Sequence, residues 1–157
     1  MQEKSTLIIG AGLCGSLLAL RLAQKGYQVK LIEKRPDLRK TEISAGRSIN
    51  LALSNRGLKA MKLAGIEEKV KELCIPMHGR MIHQKDRDEF LSPYSGLTSE
   101  YINSISRTGL NVLLLNEAEK LPNVEILFNH TCLDVDLVAA WAMFKDETSQ
   151  EKKQFKA

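Results

Sequence analysis

An α/β fold organised around a parallel strand–helix–strand unit is predicted by three adjoining features. Residues 6–9 form a short β-branched and apolar run, the signature of a buried strand. Residues 16–25 carry Leu17, Leu18, Leu20, Leu22 and Ala23 in a helical pattern that ends at Gly26, a good residue to follow a helix. Residues 27–33 alternate like a second strand. Between the first strand and the helix lies the turn 10–15, rich in glycine.

The remaining elements follow in order. Residues 36–46 read as a polar loop and 48–53 as a short apolar segment. A helix is expected over 56–63, closed by Gly65, and a second short one over 67–73. Residues 79–83 and 89–91 read as strands joined by the charged turn 84–88, and 93–99 as a loop. Another strand is expected over 101–105. A helix over 109–119 places Leu110, Leu113, Leu114 and Ala118 on one face. Residues 123–128 read as a strand, and 149–156, polar and charged, as a surface turn.

The 157 residues suffice for a compact domain with a real core. With 43% hydrophobic and 27% charged residues, the composition is that of an ordinary globular protein. The net charge of +4 attracts anionic ligands but lacks the clustered basic footprint of a nucleic-acid binder. The basic loop Lys34, Arg35, Arg39 and Lys40 is broken by Pro36 and Asp37, and reads as a solvated loop able to face phosphate. Cys14, Cys74 and Cys132 are odd in number and widely spaced, which argues against a disulfide framework or zinc site and for a reducing, cytoplasmic setting. No apolar run is long enough to cross a bilayer. His78, His83 and His130 lack metal-ligand spacing.

Gly10-Ala11-Gly12-Leu13-Cys14-Gly15 is the G-x-G-x-x-G pattern, and here it follows a strand and opens a helix. Gly10 permits the tight turn, Gly12 lets backbone approach a pyrophosphate, and Gly15 allows close helix–strand packing. The helix start offers N–H groups and its positive dipole end to phosphate. Glu33, closing the second strand, suits ribose hydroxyls and repels a 2′-phosphate, so FAD or NAD both fit. The bland alternative is a glycine-rich turn that binds no dinucleotide. A nicotinamide dehydrogenase would continue with further βα units. Here a basic loop, helices and a β-rich stretch interrupt the alternation, which favours a Rossmann-like FAD-binding domain with a β-rich insertion.

Several stretches make that reading specific. Residues 46–54 (GRSINLALS) followed by Arg56-Gly57, residues 75–83 (IPMHGRMIH), Pro93-Tyr94, Ser104-Ile105-Ser106-Arg107 with Leu110-Asn111, and Asn123-Val124 with Phe128-Asn129-His130 resemble, in order and spacing, the kynurenine 3-monooxygenase family of FAD-dependent aromatic hydroxylases. The likeness runs from about Leu7 to Leu137. It implies bound FAD, NADPH as reductant, O2 as co-substrate, and hydroxylation of L-kynurenine to 3-hydroxykynurenine. By the same resemblance Arg80 and Tyr94 match residues that hold the substrate carboxylate. Cofactor contacts fall on Gly10, Gly12, Cys14, Gly15, Ile32, Glu33, Lys34, Arg35, Ala52, Arg107 and Cys132. No side chain of this stretch is assigned a catalytic proton transfer. The bland readings are a surface charge for Arg80 and Arg107 and loop packing for Tyr94.

The resemblance divides the chain into an FAD-binding βαβ region (1–76), the start of a β-rich substrate-binding insertion (77–105) and a return to the FAD domain (106–157). It implies a truncated domain, because the family pattern continues with a Gly-Asp motif not seen before Ala157. Residues 138–157 resemble the β-rich connection before that motif. The chain alone is therefore expected to be catalytically inactive and of low stability. Two other functions remain open at this level: a flavoprotein hydroxylase with another aromatic substrate, and a non-catalytic nucleotide-binding remnant.

Overall fold

The computed structural model describes residues 4–40, 49–85, 87–97 and 99–157. Parts of three expected features lie outside them: residues 41–46 of the polar loop with Ser48, Asp86 of the charged turn, and Thr98 of the loop after it. The chain forms two compact units, residues 1–46 with 111–157, and residues 47–110.

In the first unit β1 (Ser5–Ile9), α1 (Leu13–Gln24) and β2 (Gln28–Ile32) form the predicted strand–helix–strand unit, with the two strands parallel. β2 is central, flanked by β1 and β8 (Val124–Leu127), all parallel. Such strands are covered on both faces, which explains their nearly unbroken apolar sequence. One face carries Ile8, Val29 and Leu31 into a core with Ala19 and Ala23 of α1 and Leu115 of α4 (Arg107–Glu119). The other packs Ile32 and Leu127 against Ala142, Phe144 and Phe155. Lys30 sits on that second face, paired with Glu125 at 2.5 Å and lying over the Phe155 ring.

The second face is covered by an antiparallel sheet of β9 (His130–Asp136), β10 (Trp141–Asp146) and β11 (Lys152–Lys156), ordered β11-β10-β9. Here the expectation of a surface turn over 149–156 is corrected: the turn stops at Gln150, and residues from Lys152 form the edge strand. An edge strand shows most side chains to water, so its composition mimics a loop. Only Phe155 turns inward, with its ring 5.8 Å from that of Phe144.

The second unit contains β3 (Asn50–Leu53), α2 (Asn55–Leu63), α3 (Glu67–Glu72), β4 (Cys74–Met77), a hairpin of β5 (Gly79–Gln84) and β6 (Arg87–Pro93), and β7 (Ile102–Ser106). β7 lies between β3 and β4, antiparallel to both. Among the described residues Met61, Ala64, Ile66, Val70, Ile105 and Leu110 are its buried apolar residues. α4 starts here, with Ser106 Oγ accepting the Gly109 N–H at 3.2 Å in the manner of a helix cap. Among the described residues no helix is long and apolar enough to cross a membrane.

Candidate functional site

The site begins where β1 ends. Gly10 has φ +101°, a backbone conformation that favours glycine, and its N–H donates to the Ile32 carbonyl at 2.7 Å. A Cβ on Gly15 would stand 1.9 Å from the Gly10 carbonyl oxygen, so the close approach of α1 to β1 requires glycine. A Cβ on Gly12 would meet nothing within 4 Å. The backbone there faces open space that a ligand can enter. Gly12 also caps α1, whose start has no side-chain cap and no acid in its first turn. Such a helix end suits an anion.

The peptide of Ala11, 1% exposed, is held from three directions. Its N–H donates to Glu33 Oε2 at 2.8 Å. Its carbonyl accepts Ser16 Oγ at 3.1 Å and Asn111 Nδ2 at 3.0 Å. Glu33 is itself buried, and its Oε1 accepts the Arg35 N–H at 3.0 Å and Arg35 Nε at 2.8 Å. Burial pushes this carboxyl up, but the hydrogen bonds from Arg35 and Ala11 outweigh it and hold Glu33 below the usual carboxylate range.

The next loop is anchored by Arg39. It grips Asp37 through Nε and Nη2 at 2.8 Å, and reaches Asn116 at 3.0 Å and Glu119 at 2.6 Å on α4. Backbone bonds tie the same loop to the turn after β8: the Asn129 N–H donates to the Arg35 carbonyl and the His130 N–H to that of Glu33. Asn129 takes φ 59°, a left-handed conformation that asparagine tolerates. His130 Nδ1 lies 2.6 Å from the Phe128 carbonyl oxygen, so the proton resides on Nδ1.

These elements enclose a cavity of about 510 Å³. Gly10, Gly12, Ile32, Glu33, Lys34, Arg35 and Cys132 line it, together with Ile9, His130 and Thr131, which were not expected at the cofactor site. The last two open β9, whose strand character was not recognised; the Phe128-Asn129-His130 stretch was the available signal. Gly15 lies beneath the turn, and Cys14 is exposed on α1. All three cysteines are free.

The other singled-out residues belong to the second unit. Ala52 is exposed on β3 opposite Ser104, and Arg107 begins α4 with its N–H on the Ile49 carbonyl. Arg80 is exposed on β5 opposite Ser92. The Tyr94 N–H donates to the His78 carbonyl at 2.9 Å, which extends the hairpin register by one step. Tyr94 is thus a diagonal neighbour of Arg80, a spacing of roughly 7–8 Å that long side chains span. Among the described residues Arg80 forms no ion pair. Tyr94 also lines a cavity of about 560 Å³ with Asn55, Lys71, Tyr101 and Asn103, and Arg80 is not part of that wall.

A parallel sheet, a glycine turn at its strand ends, and a helix start facing an open cavity define a dinucleotide-binding protein. The profile of the FAD binding domain matches residues 3–157, and the chain belongs to that family. It is 46% identical over 134 residues to a kynurenine 3-monooxygenase of Legionella pneumophila (strain Corby), covering 85% of this chain and 30% of that protein. It is 47% identical over 150 residues to the kynurenine 3-monooxygenase of Cytophaga hutchinsonii, covering 94% and 33%. The chain thus spans about a third of the length of these curated relatives. Among solved structures, the tetrameric form of 2-methyl-3-hydroxypyridine-5-carboxylic acid oxygenase matches with TM-score 0.74 at 22% identity, over 98% of this chain and 38% of that one. The p-nitrophenol 4-monooxygenase of Pseudomonas putida DLL-E4 matches with TM-score 0.74 at 16% identity, over 97% and 38%. These two likenesses show the fold.

Proposed function

We propose that the chain is the FAD-binding part of a flavin-dependent aromatic monooxygenase that uses NADPH and O2 to hydroxylate L-kynurenine to 3-hydroxykynurenine. The observation that carries the substrate is the 40–47% identity to proteins named kynurenine 3-monooxygenase. The residues present fit FAD: an uncapped helix start, open space at Gly12, and a buried acid at the end of β2. Gly10 and Gly12 would hold the pyrophosphate, with Gly15 and Cys14 behind the turn, and Ile32, Glu33, Lys34, Arg35 and Cys132 the adenosine side. Glu33 already accepts from Ala11 and Arg35, which fill most of a carboxylate's lone-pair sites. A ribose hydroxyl therefore reaches Glu33 by displacing the solvent-exposed Arg35 guanidinium. In the second unit, Ala52 and Arg107 are assigned to the flavin, and Arg80 with Tyr94 to the substrate carboxylate. A guanidinium grips a carboxylate bidentately, and a phenol adds a neutral hydrogen bond.

FAD supplies the redox chemistry when bound; the protein binds, orients and keeps water out. The segments 1–76 and 106–157 then serve the cofactor, and 77–105 opens the substrate-binding region. Three free cysteines support a reducing, cytoplasmic setting.

The test joins the chain to the C-terminal part of a related enzyme and follows its visible spectrum and NADPH oxidation. A yellow protein whose oxidation rate rises with L-kynurenine, yielding 3-hydroxykynurenine, is expected. Arg80→Ala should abolish that stimulation and leave the flavin spectrum intact. A yellow protein indifferent to kynurenine removes the substrate assignment, and a colourless folded one removes the cofactor.

A further inference from the structure

The cavity of about 560 Å³ in the second unit has a polar wall residue that the contacts of the fold do not explain. Asn103, in the middle of β7, is 7% exposed and lines that cavity. Alternation along β7 puts it on the same face as the buried Ile105. Its cross-strand neighbours are Leu53 of β3 and Pro76 of β4, whose side chains carry no hydrogen-bonding group. Among the described residues no hydrogen bond holds the Asn103 amide, and, unlike Asn111 Oδ1, it is not sealed off from the cavity. An amide buried without a protein partner is unfavourable, and leucine would fill the position at less cost. The amide therefore serves what enters the cavity: water in the free protein, a polar ligand in the bound one.

The rest of the wall indicates the charge of that ligand. Its cation, Lys71, is already taken by Glu67 and Glu68 at 3.1 and 2.9 Å. Its acid, Glu100, accepts the Ser95 hydroxyl through Oε2 and forms no ion pair among the described residues. Local bonds hold the loop that carries it: the Leu97 N–H donates to Ser95 Oγ and the Glu100 N–H to the Leu97 carbonyl, both at 3.1 Å. Tyr94 and Tyr101 line the same wall, and His78 braces Tyr101 with ring centroids 5.3 Å apart. An unpaired carboxylate with two phenol rings suits an ammonium group, by charge and by attraction to the ring faces. Tyr94 also joins this cavity to Arg80, its diagonal neighbour on the hairpin. An α-amino acid carries its ammonium and its carboxylate on one carbon, as that adjacency requires.

We propose that this cavity receives the ammonium-bearing end of the substrate amino acid, with Glu100 as its counter-charge and the Asn103 amide as its buried hydrogen-bonding partner. This rests on the kynurenine reading above and adds to it the residues that distinguish an amino acid from an aromatic acid lacking the amino group.

The experiment titrates the full chain, at a temperature where circular dichroism shows it folded, and follows its amide resonances. The probes are L-kynurenine, kynuramine (ammonium without carboxylate) and the deaminated analogue (carboxylate without ammonium). The two amines should move the Asn103 side-chain amide resonances, and the deaminated analogue should not. Glu100→Gln should bind both amines about tenfold more weakly, on the scale of one hydrogen bond to a charged group. Asn103→Leu should bind kynuramine about fivefold more weakly, on the scale of a neutral hydrogen bond, and yet melt no lower than the unaltered chain. A lower melting temperature would mark Asn103 as a packing residue and overturn its role. If kynuramine leaves the Asn103 resonances still, if the deaminated analogue moves them equally, or if Glu100→Gln binds kynuramine as tightly, the site is overturned. Should the chain alone not fold, the same titrations on the enzyme joined to a C-terminal part decide the matter. In that enzyme, kynurenine-stimulated NADPH oxidation with an unchanged KM in Glu100→Gln sinks this inference alone. No stimulation by kynurenine sinks the substrate reading instead.

Discussion

In each unit a strand runs directly into a helix whose third residue is glycine: Gly15 in α1 and Gly57 in α2. Both helices start without a side-chain cap and without an acid in the first turn. They differ in what stands against the glycine. At Gly15 an added methyl meets the Gly10 backbone carbonyl at 1.9 Å; at Gly57 it meets Leu53 Cδ1 at 2.4 Å. One turn is limited by backbone, which cannot yield without moving the nucleotide-facing peptides. The other is limited by the end of a side chain, which can rotate away. The same residue type at the same helical position thus reports a ligand-shaped constraint in one unit and a packing preference in the other.

The largest effect should come from Gly15→Ala. Displacing α1 from β1 is an overpacking defect worth about 3 kcal/mol, and it also disturbs the Ala11 and Gly12 peptides. Calorimetric melting and FAD titration should fall together. A variant that melts near the unaltered temperature and binds FAD normally would mean that the turn can widen freely, and the contrast between the two glycines would collapse.

Next in size is the response to Arg39→Ala. Asp37 is 8% exposed, and Arg39, 16% exposed, is its ion-pair partner and the link to Glu119 on α4. Removing one member of a mostly buried pair leaves the other unsatisfied. Because Arg39 retains some solvent contact, we expect about 2 kcal/mol, below the range for fully buried pairs. Urea denaturation should read it, and a change within error would show that the loop after β2 is held by its backbone bonds alone.

Acid should separate the units further. Among the described residues, the carboxylates held below their usual range, Glu33, Asp37, Asp146 and Glu147, all belong to the first unit. For Asp37 the cause is first the Arg39 hydrogen bond. Asp146 is lowered to about 2, mainly by the backbone N–H groups of Thr148 and Ser149. A carboxylate depressed on folding contributes stability that is complete above its unfolded value and lost as pH falls through its folded value. The window therefore opens below the ordinary 4.5 of Glu and 3.8 of Asp and extends to about 2. Amide hydrogen exchange should show first-unit strands losing protection before β3, β4 and β7 as pH is lowered. Glu33→Gln should flatten part of that response. Simultaneous loss in both units would defeat the prediction.

How much of this could be read from sequence also differs between the units, and for physical reasons. The βαβ unit was legible because its strands are buried on both faces and its turn needs glycine at fixed positions. β11 was not, because an edge strand with only Phe155 inward has the composition of a loop. β4 escaped because Pro76 sits within it, a residue tolerated only where the strand has a free side. At the cavity wall Glu33 followed from the acid closing the second strand, whereas Lys34 and Arg35 followed only from the family resemblance. Asn111 stood in the family resemblance beside Leu110, but its hydrogen bond to the glycine turn was not legible, since that contact spans one hundred residues.

The smallest effect should be at Gly57, and its sign is informative. Glycine inside a helix is disfavoured relative to alanine by about 1 kcal/mol. Against that stands the 2.4 Å approach to Leu53 Cδ1, relieved by rotating a leucine that is only partly buried at the end of β3. An off-rotamer side chain costs about 0.5–1.5 kcal/mol. The two terms nearly cancel, so Gly57→Ala should shift stability by less than about 0.5 kcal/mol either way, the range typical of benign substitutions. FAD affinity in the joined enzyme should move far less than with Gly15→Ala. A loss as large as that of Gly15→Ala would show that Leu53 cannot rotate, making the β3–α2 turn as rigid as the nucleotide turn and Gly57 a backbone requirement in its own right.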